Sequence, residues 1–147
     1  MHDALFTQAG RAGVYRLPPD QNLAALPSLM QRLRFAGFTA DLTADKTLPT
    51  VLESLGKALG FPEWYGRNLD ALHDCLTDPD WLPGPGLAKG GALVLSGLDT
   101  LRGRHPADFT RLIEVLASAV EIQRDSGIPL WVLVAGDARD LPLLPDA

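Results

Sequence analysis

One cysteine, Cys75, is all that these 147 residues contain. An internal disulfide is therefore impossible, and a small secreted scaffold held by disulfides is excluded. Histidine is nearly as scarce: His2, His73 and His105 stand far apart, and no second ligand cluster accompanies any of them. No Gly-rich phosphate loop and no nucleophile motif occurs either, which removes the common routes to metal, nucleotide or covalent catalysis. No apolar run approaches the roughly 20 residues that span a bilayer. The N-terminus, Met-His-Asp-Ala-Leu-Phe-Thr-Gln, lacks the basic segment and apolar run of a signal peptide. A soluble, cytoplasmic protein with no membrane contact is the expectation.

Positive charge is also short. Thirteen Lys and Arg face eighteen Asp and Glu, a net charge of −5. The deficit is uneven. Residues 1–40 hold four arginines against Asp3 and Asp20, a net +2, and the remainder holds nine bases against sixteen acids, a net −7. A domain built to bind nucleic acid carries surplus Lys and Arg to neutralise phosphates, so direct nucleic-acid binding is not expected. A basic partner suits this balance better. What is present is ordinary for a globular chain: 46% hydrophobic and 21% charged residues. That is enough for one domain, 1–147, with its own core. No repeat, low-complexity tract or linker divides it.

Periodicity supplies the elements. Residues 1–12 have none and read as a loose arm, with 13–37 an N-terminal extension. Val14–Leu17 is a candidate short strand before Pro18 and Pro19. Leu23, Leu26, Met30 and Leu33 recur at helical spacing; proline fits only the first turn, so this helix is predicted to start near Pro27 and stop at Gly37. Phe38–Leu42 alternates like a strand. Leu48, Val51, Leu52, Leu55 and Leu59 mark an amphipathic helix ended by Gly60 and Pro62. A short helix follows from Asn68 to Thr77, then a long irregular loop rich in Pro and Gly from Pro79 to Gly91. Ala92–Leu95 and Leu130–Val134 are continuous apolar runs, the mark of strands buried on both faces. Between them Phe109, Leu112, Ile113, Leu116 and Val120 form the apolar face of a helix that opens at Pro106 and closes at Gly127. The tail after Gly136 is predicted to fray. Strands separated by helices imply an α/β fold: a small parallel sheet of three strands, Val14–Leu17 a candidate fourth, covered by helices.

The short helix is the most informative segment. Its Asp70, Asp74 and Asp78 fall at i, i+4 and i+8, where like charges repel by a few tenths of a kcal/mol per pair. Stability alone gives no reason for them. Asn68 can cap the helix, and Asp70 beside the positive helix end is favoured as a carboxylate. Leu69, Leu72 and Leu76 form the buried stripe with Cys75 beside them. Asp70, His73, Asp74, Thr77 and Asp78 are left facing outward. Gly66 is read as a left-handed turn before the cap. Trp64 and Tyr65 just ahead, and Trp81 just after, are rigid aromatics able to anchor an interface.

The run Pro62-Glu-Trp-Tyr-Gly-Arg-Asn-Leu-Asp-Ala-Leu-His-Asp-Cys-Leu-Thr77 resembles the signature of the barstar family, intracellular inhibitors of small secreted ribonucleases. The family pattern is roughly Pro-x-aromatic-aromatic-Gly-x-Asn-x-Asp-Ala-Leu-x-Asp-Cys-Leu-Thr, and every fixed position is met. The order of elements agrees from about Phe38 to Val134. The resemblance implies a barstar-like fold, no catalysis and no cofactor or metal. It also implies a free monomer whose helix and preceding loop enter a ribonuclease active site, carboxylates standing where substrate phosphates would. Asp74 would be the central contact to the enzyme's arginines and histidine, with Asp70 in support. Trp64, Tyr65, Gly66, Asn68, Leu69, Ala71, His73, Thr77, Asp78 and Trp81 would line the contact. His73 stands where the best-known member has tryptophan and Arg67 where it has an acid. Glu121 and Asp125 lie near further acidic contacts of that member without aligning cleanly. Two other readings stand beside this one. Asp70, His73 and Asp74 could ligate a metal, or the carboxylate pair could do acid/base work, although one helix alone completes neither site. Alternatively, the same module serves another basic nuclease toxin or a regulatory protein.

Overall fold

In the computed structural model the elements are, in chain order, α1 (Asp3–Phe6), β1 (Val14–Arg16), α2 (Leu26–Leu33), β2 (Phe35–Asp41), α3 (Leu48–Leu59), α4 (Leu69–Thr77), β3 (Gly90–Ser96), α5 (Asp99–Arg104), α6 (Pro106–Ser126) and β4 (Leu130–Val134). The structure describes residues 3–61, 66–78, 89–136, 138 and 140–145. β3 and β4 carry no charged side chain, and such segments are stable only where both faces are covered. They take the centre of a four-stranded, wholly parallel sheet in the order β1-β4-β3-β2. The candidate fourth strand is therefore real and lies at an edge. Ala92 is in register with Trp131 and Leu93 with Val132, and all four are fully buried.

Right-handed crossovers fix which face each connection covers. The connection from β1 to β2 runs across the whole sheet and carries α2. Those from β2 to β3 and from β3 to β4 run back the other way, so α3, α4, α5 and α6 lie over the opposite face. α6 packs on both α4 and β4. Local signals set the helix ends: Thr47 and Thr50 form a capping box before α3, and Gly60 (φ 67°) and Gly127 (φ 89°) end α3 and α6 in the left-handed conformation. Among the described residues no helix is long and apolar enough to cross a membrane.

Four expectations need correction. Residues 3–12 are not a loose arm: α1 and a 3-10 turn at Ala9–Arg11 pack down, burying Leu5, Phe6 and Ala12. The Phe6 ring meets Trp131 edge-on at 4.8 Å while Tyr15 stacks at 5.9 Å, so a long-range aromatic cluster fastens the segment. The helix α2 does not run to Gly37. It ends at Arg34, a non-glycine residue with φ 60°, and Gly37 lies inside β2, where an added Cβ would approach Met30 Cβ to 3.3 Å. The glycine serves close helix–strand packing instead of a helix stop. The tail is not frayed over its described residues. Ala138, Leu141 and Leu144 are buried, and the segment hydrogen-bonds to β1 through Arg16 N–H to Pro142 O and Leu144 N–H to Arg16 O, both 2.9 Å. Finally, Gly90 and Gly91 belong to β3 and not to the loop before it. The rest of that loop, 79–88, lies outside the described residues.

Candidate functional site

The acidic helix α4 forms where the sequence places it. Asn68 adopts extended dihedrals, and its Oδ1 accepts from Ala71 N–H at 2.8 Å, supplying one of the partners that the first helical turn lacks. The left-handed residue of the turn is Arg67 (φ 53°), one place beyond the glycine expected to take that role. Gly66 sits tight against the cap: a Cβ there would lie 3.2 Å from Asn68 Nδ2. At the other end Thr77 Oγ1 donates back to His73 O at 2.8 Å. Asp78 closes the helix in extended conformation, its N–H donating to Cys75 O at 3.4 Å. The helical comb thus holds two aspartates, Asp70 and Asp74, with Asp78 just past its end.

Leu72, Cys75 and Leu76 are buried as expected, while Leu69, expected in the same stripe, is only half-buried against the core, as is Ala71. Thr77 and Asp78, expected to face outward, are half-buried as well. Burial pushes the Cys75 thiol up, and the Asp78 and Asp74 carboxylates add to the shift. Asp70 and Asp74 are exposed. Neither side chain makes an ion pair or hydrogen bond with another described residue. His73 departs from expectation. It is half-buried, and its Nε2 shares a 3.0 Å hydrogen bond with Ser118 Oγ on α6. The imidazole is turned toward the neighbouring helix and does not stand free with the aspartates. Among the described residues no group of three His, Cys, Asp or Glu side chains could hold a metal ion.

Two residues that hold the site were missed from sequence. Ser118 is one. Gln123 is the other: it is 4% exposed, and its Nε2 donates to Leu76 O at 2.6 Å while Ser126 Oγ donates to its Oε1 at 3.1 Å. A signal for Gln123 existed, since it continues the apolar stripe through Leu116 and Val120 as the one polar member. Glu121 and Asp125 are exposed, three and seven positions beyond Ser118, and so follow it along one side of α6. Trp64, Tyr65 and Trp81 lie outside the described residues.

Comparison with known proteins places this geometry in context. Residues 35–135 match the family described as Barstar (barnase inhibitor). The matched region opens at Phe35, the first residue of β2. A Bacillus subtilis (strain 168) protein named "Putative ribonuclease inhibitor YrdF" is 38% identical over 76 residues, covering 50% of this chain and 72% of that protein. Among solved structures, the Drosophila ORC bound to DNA superposes with a TM-score of 0.57 at 15% identity over 98% of this chain. The ADP form of the Aeropyrum pernix ORC2 protein gives 0.54 at 16% identity over 93%. This chain spans only 36% and 39% of those larger chains, and at such identities the likeness is one of fold alone. The family match covers most of the chain and contains the acidic helix with its cap and both flanking strands: the chain belongs to the barstar family of ribonuclease inhibitors.

Proposed function

We propose that this protein is a noncatalytic inhibitor of a small basic ribonuclease, acting in the cytoplasm as a monomer, and that α4 with the turn at residues 66–68 occupies the active site of its target. One observation carries the reading. Asp70 and Asp74 stand exposed, without ion pairs among the described residues, on a helix whose opposite side is locked down by Leu72, Cys75 and Leu76. Two hydrogen bonds to α6 reinforce that lock. Carboxylates preset on a rigid support can meet guanidinium groups bidentately with little reorganisation, and the cost of ordering them is met when the protein folds. The cationic cleft that holds RNA phosphates is the natural counterpart of such a pair.

Within this reading Asp74 is the central contact and Asp70 its support. Gly66, Asn68, Leu69, Ala71, Thr77 and Asp78 line the contact, with Trp64, Tyr65 and Trp81 as flanking aromatics. His73 contributes an edge at most, because Ser118 holds it back. The test is a titration of RNA cleavage by small basic ribonucleases with the purified chain. A stoichiometric block supports inhibition; complex formation with cleavage intact points to a binding module for another partner. Asp74→Ala removes one member of a charge pair buried in the complex, a loss of about 3–5 kcal/mol and so at least roughly 100-fold in affinity. Unchanged inhibition by that variant would remove α4 from the interface.

A further inference from the structure

The two edges of the sheet are finished differently. Along β1 runs the chain's own tail, with the two backbone hydrogen bonds at Arg16 and a parallel bridge between Arg16 and Leu143. Along β2 no described residue does the same. Leu42 N–H donates to Ser96 O and Ser96 Oγ donates to Ala40 O, which sets the alternation: the even-numbered residues face β3. The N–H and C=O groups of Phe35, Gly37 and Thr39 therefore point away from the sheet. Sheet edges are ordinarily blunted by brevity, proline, lysine or a bulge. β2 has seven residues, Phe-Ala-Gly-Phe-Thr-Ala-Asp, without proline or lysine and with its one charge at the last position.

Beside this edge lies a groove of about 380 Å³ between α2 and β2, lined by Leu26, Met30, Phe35, Gly37, Ala92 and Val94 among others. Gly37 is exposed and has no side chain of its own, so the strand backbone meets solvent there although Met30 packs against one face of the glycine. Phe35 also borders a second cavity of about 420 Å³, and among the described residues its lining includes the cations Arg34 and Lys89. A strand edge left unpaired by the described residues, an apolar groove and a cationic end thus meet at Phe35.

We propose that β2 and α2 form a docking groove for an extended peptide segment of a partner protein. The segment adds to the sheet antiparallel to β2, sets apolar side chains at alternate positions into the groove, and brings carboxylates at its C-terminal end to Arg34 and Lys89. Main-chain hydrogen bonds supply affinity in this mode and the groove selects side chains. Direction follows from charge: the cations lie at the N-terminal end of β2, so a segment acidic at its C-terminal end meets them only when it runs antiparallel, the more stable pairing.

The probe is a short fluorescein-labelled peptide of alternating threonine and valine ending in two glutamates, titrated against the full chain by anisotropy. Saturable binding is expected, weaker by roughly tenfold when two lysines replace the glutamates. N-methylating the amides that face β2 should weaken it by a similar factor, since about 1.4 kcal/mol of lost hydrogen bonding is tenfold. Gly37 and Thr39 amide protons should exchange rapidly in the free chain and slow on binding. Thr39→Pro deletes an outward N–H that would donate to a peptide carbonyl, without touching a bond to β3, and should weaken binding as the methylated peptide does; if that variant misfolds, the methylated peptide tests the same strand pairing on the unaltered protein, through the bonds that the peptide donates. Equal binding of all three peptides, or none, overturns the proposal. So does protection of Gly37 and Thr39 without peptide: at high dilution it would assign the edge to another segment of this chain, and if it rises with protein concentration, to a second copy.

Discussion

Gln123 shows how one side chain can hold the helix of the candidate site in position. Its amide reaches from α6 to the carbonyl of Leu76 near the end of α4, a group with no free donor in its own final turn. Gln123→Ala leaves that carbonyl without a side-chain donor among the described residues, which costs about 1–3 kcal/mol. Chemical denaturation should show the loss, with inhibition weakened more than by an equally destabilising change far from α4. Cys75 carries a pH prediction. Its thiol is pushed up by burial first and by Asp78 and Asp74 second, so the folded protein holds this proton more tightly than the unfolded chain. The stability tied to it is complete below the ordinary thiol range near pH 9 and falls as pH rises above that. A disulfide-exchange reagent at pH 8 should label Cys75 only at the rate of local opening; immediate labelling of the native protein would contradict its burial. Asp41 works with the opposite sign. The Thr43 hydroxyl and N–H both donate to its Oδ1 and hold the carboxyl below 3.8. Its contribution is present above that value and is lost as pH falls through the lowered one. Asp41→Ala should therefore flatten the acid limb of a stability profile.

At the scale of elements, α4 is stable only through its contacts. Nine residues are too few for a helix to persist alone in water, and Leu72, fully buried, is its deepest anchor. Leu72→Ala should cost about 2–5 kcal/mol and lower inhibition in step with stability, measurable by thermal unfolding beside RNA cleavage. Long, regular segments such as α3, α6, β3 and β4 were legible because their periods are complete and Gly60 and Gly127 punctuate them. The cap and buried side of α4 were legible for the same reason. What was hidden depends on contacts distant in sequence. A four-residue helix cannot display a 3.6 period, so only the Phe6–Trp131 contact reveals that α1 is packed. The tail looked frayed because its partner, β1, lies over a hundred residues away. α5 is too short to stand out between Gly97 and His105. Gly37 misled because a glycine after an apolar helix usually ends it; here Arg34 does so three residues sooner. His73 was placed outward by spacing alone, and only the position of α6 turns it toward Ser118.

For the molecule as a whole the uneven charge matters most. Residues 1–40 carry +2 and the remainder −7, so the basic ribonuclease proposed as target would meet attraction from the part that holds α4 and repulsion from the N-terminal part. Such an arrangement guides approach before any contact forms, and that guidance is the quantity most open to salt. Exposed charges are screened beyond about 10 Å at 0.1 M ionic strength and about 3 Å at 1 M. The association rate with the target should fall by roughly tenfold or more across that interval. The dissociation rate should move far less, because the pairs proposed for Asp70 and Asp74 would be shielded from ions once buried in the complex. Stopped-flow mixing at several salt concentrations separates the two rates. Asp74→Asn adds the discriminating step. It removes a short-range pair and one unit of a broad field, so it should raise dissociation strongly while lowering association only modestly. A variant that slows association as much as it speeds dissociation would mean that this carboxylate guides the approach and does little in the bound state.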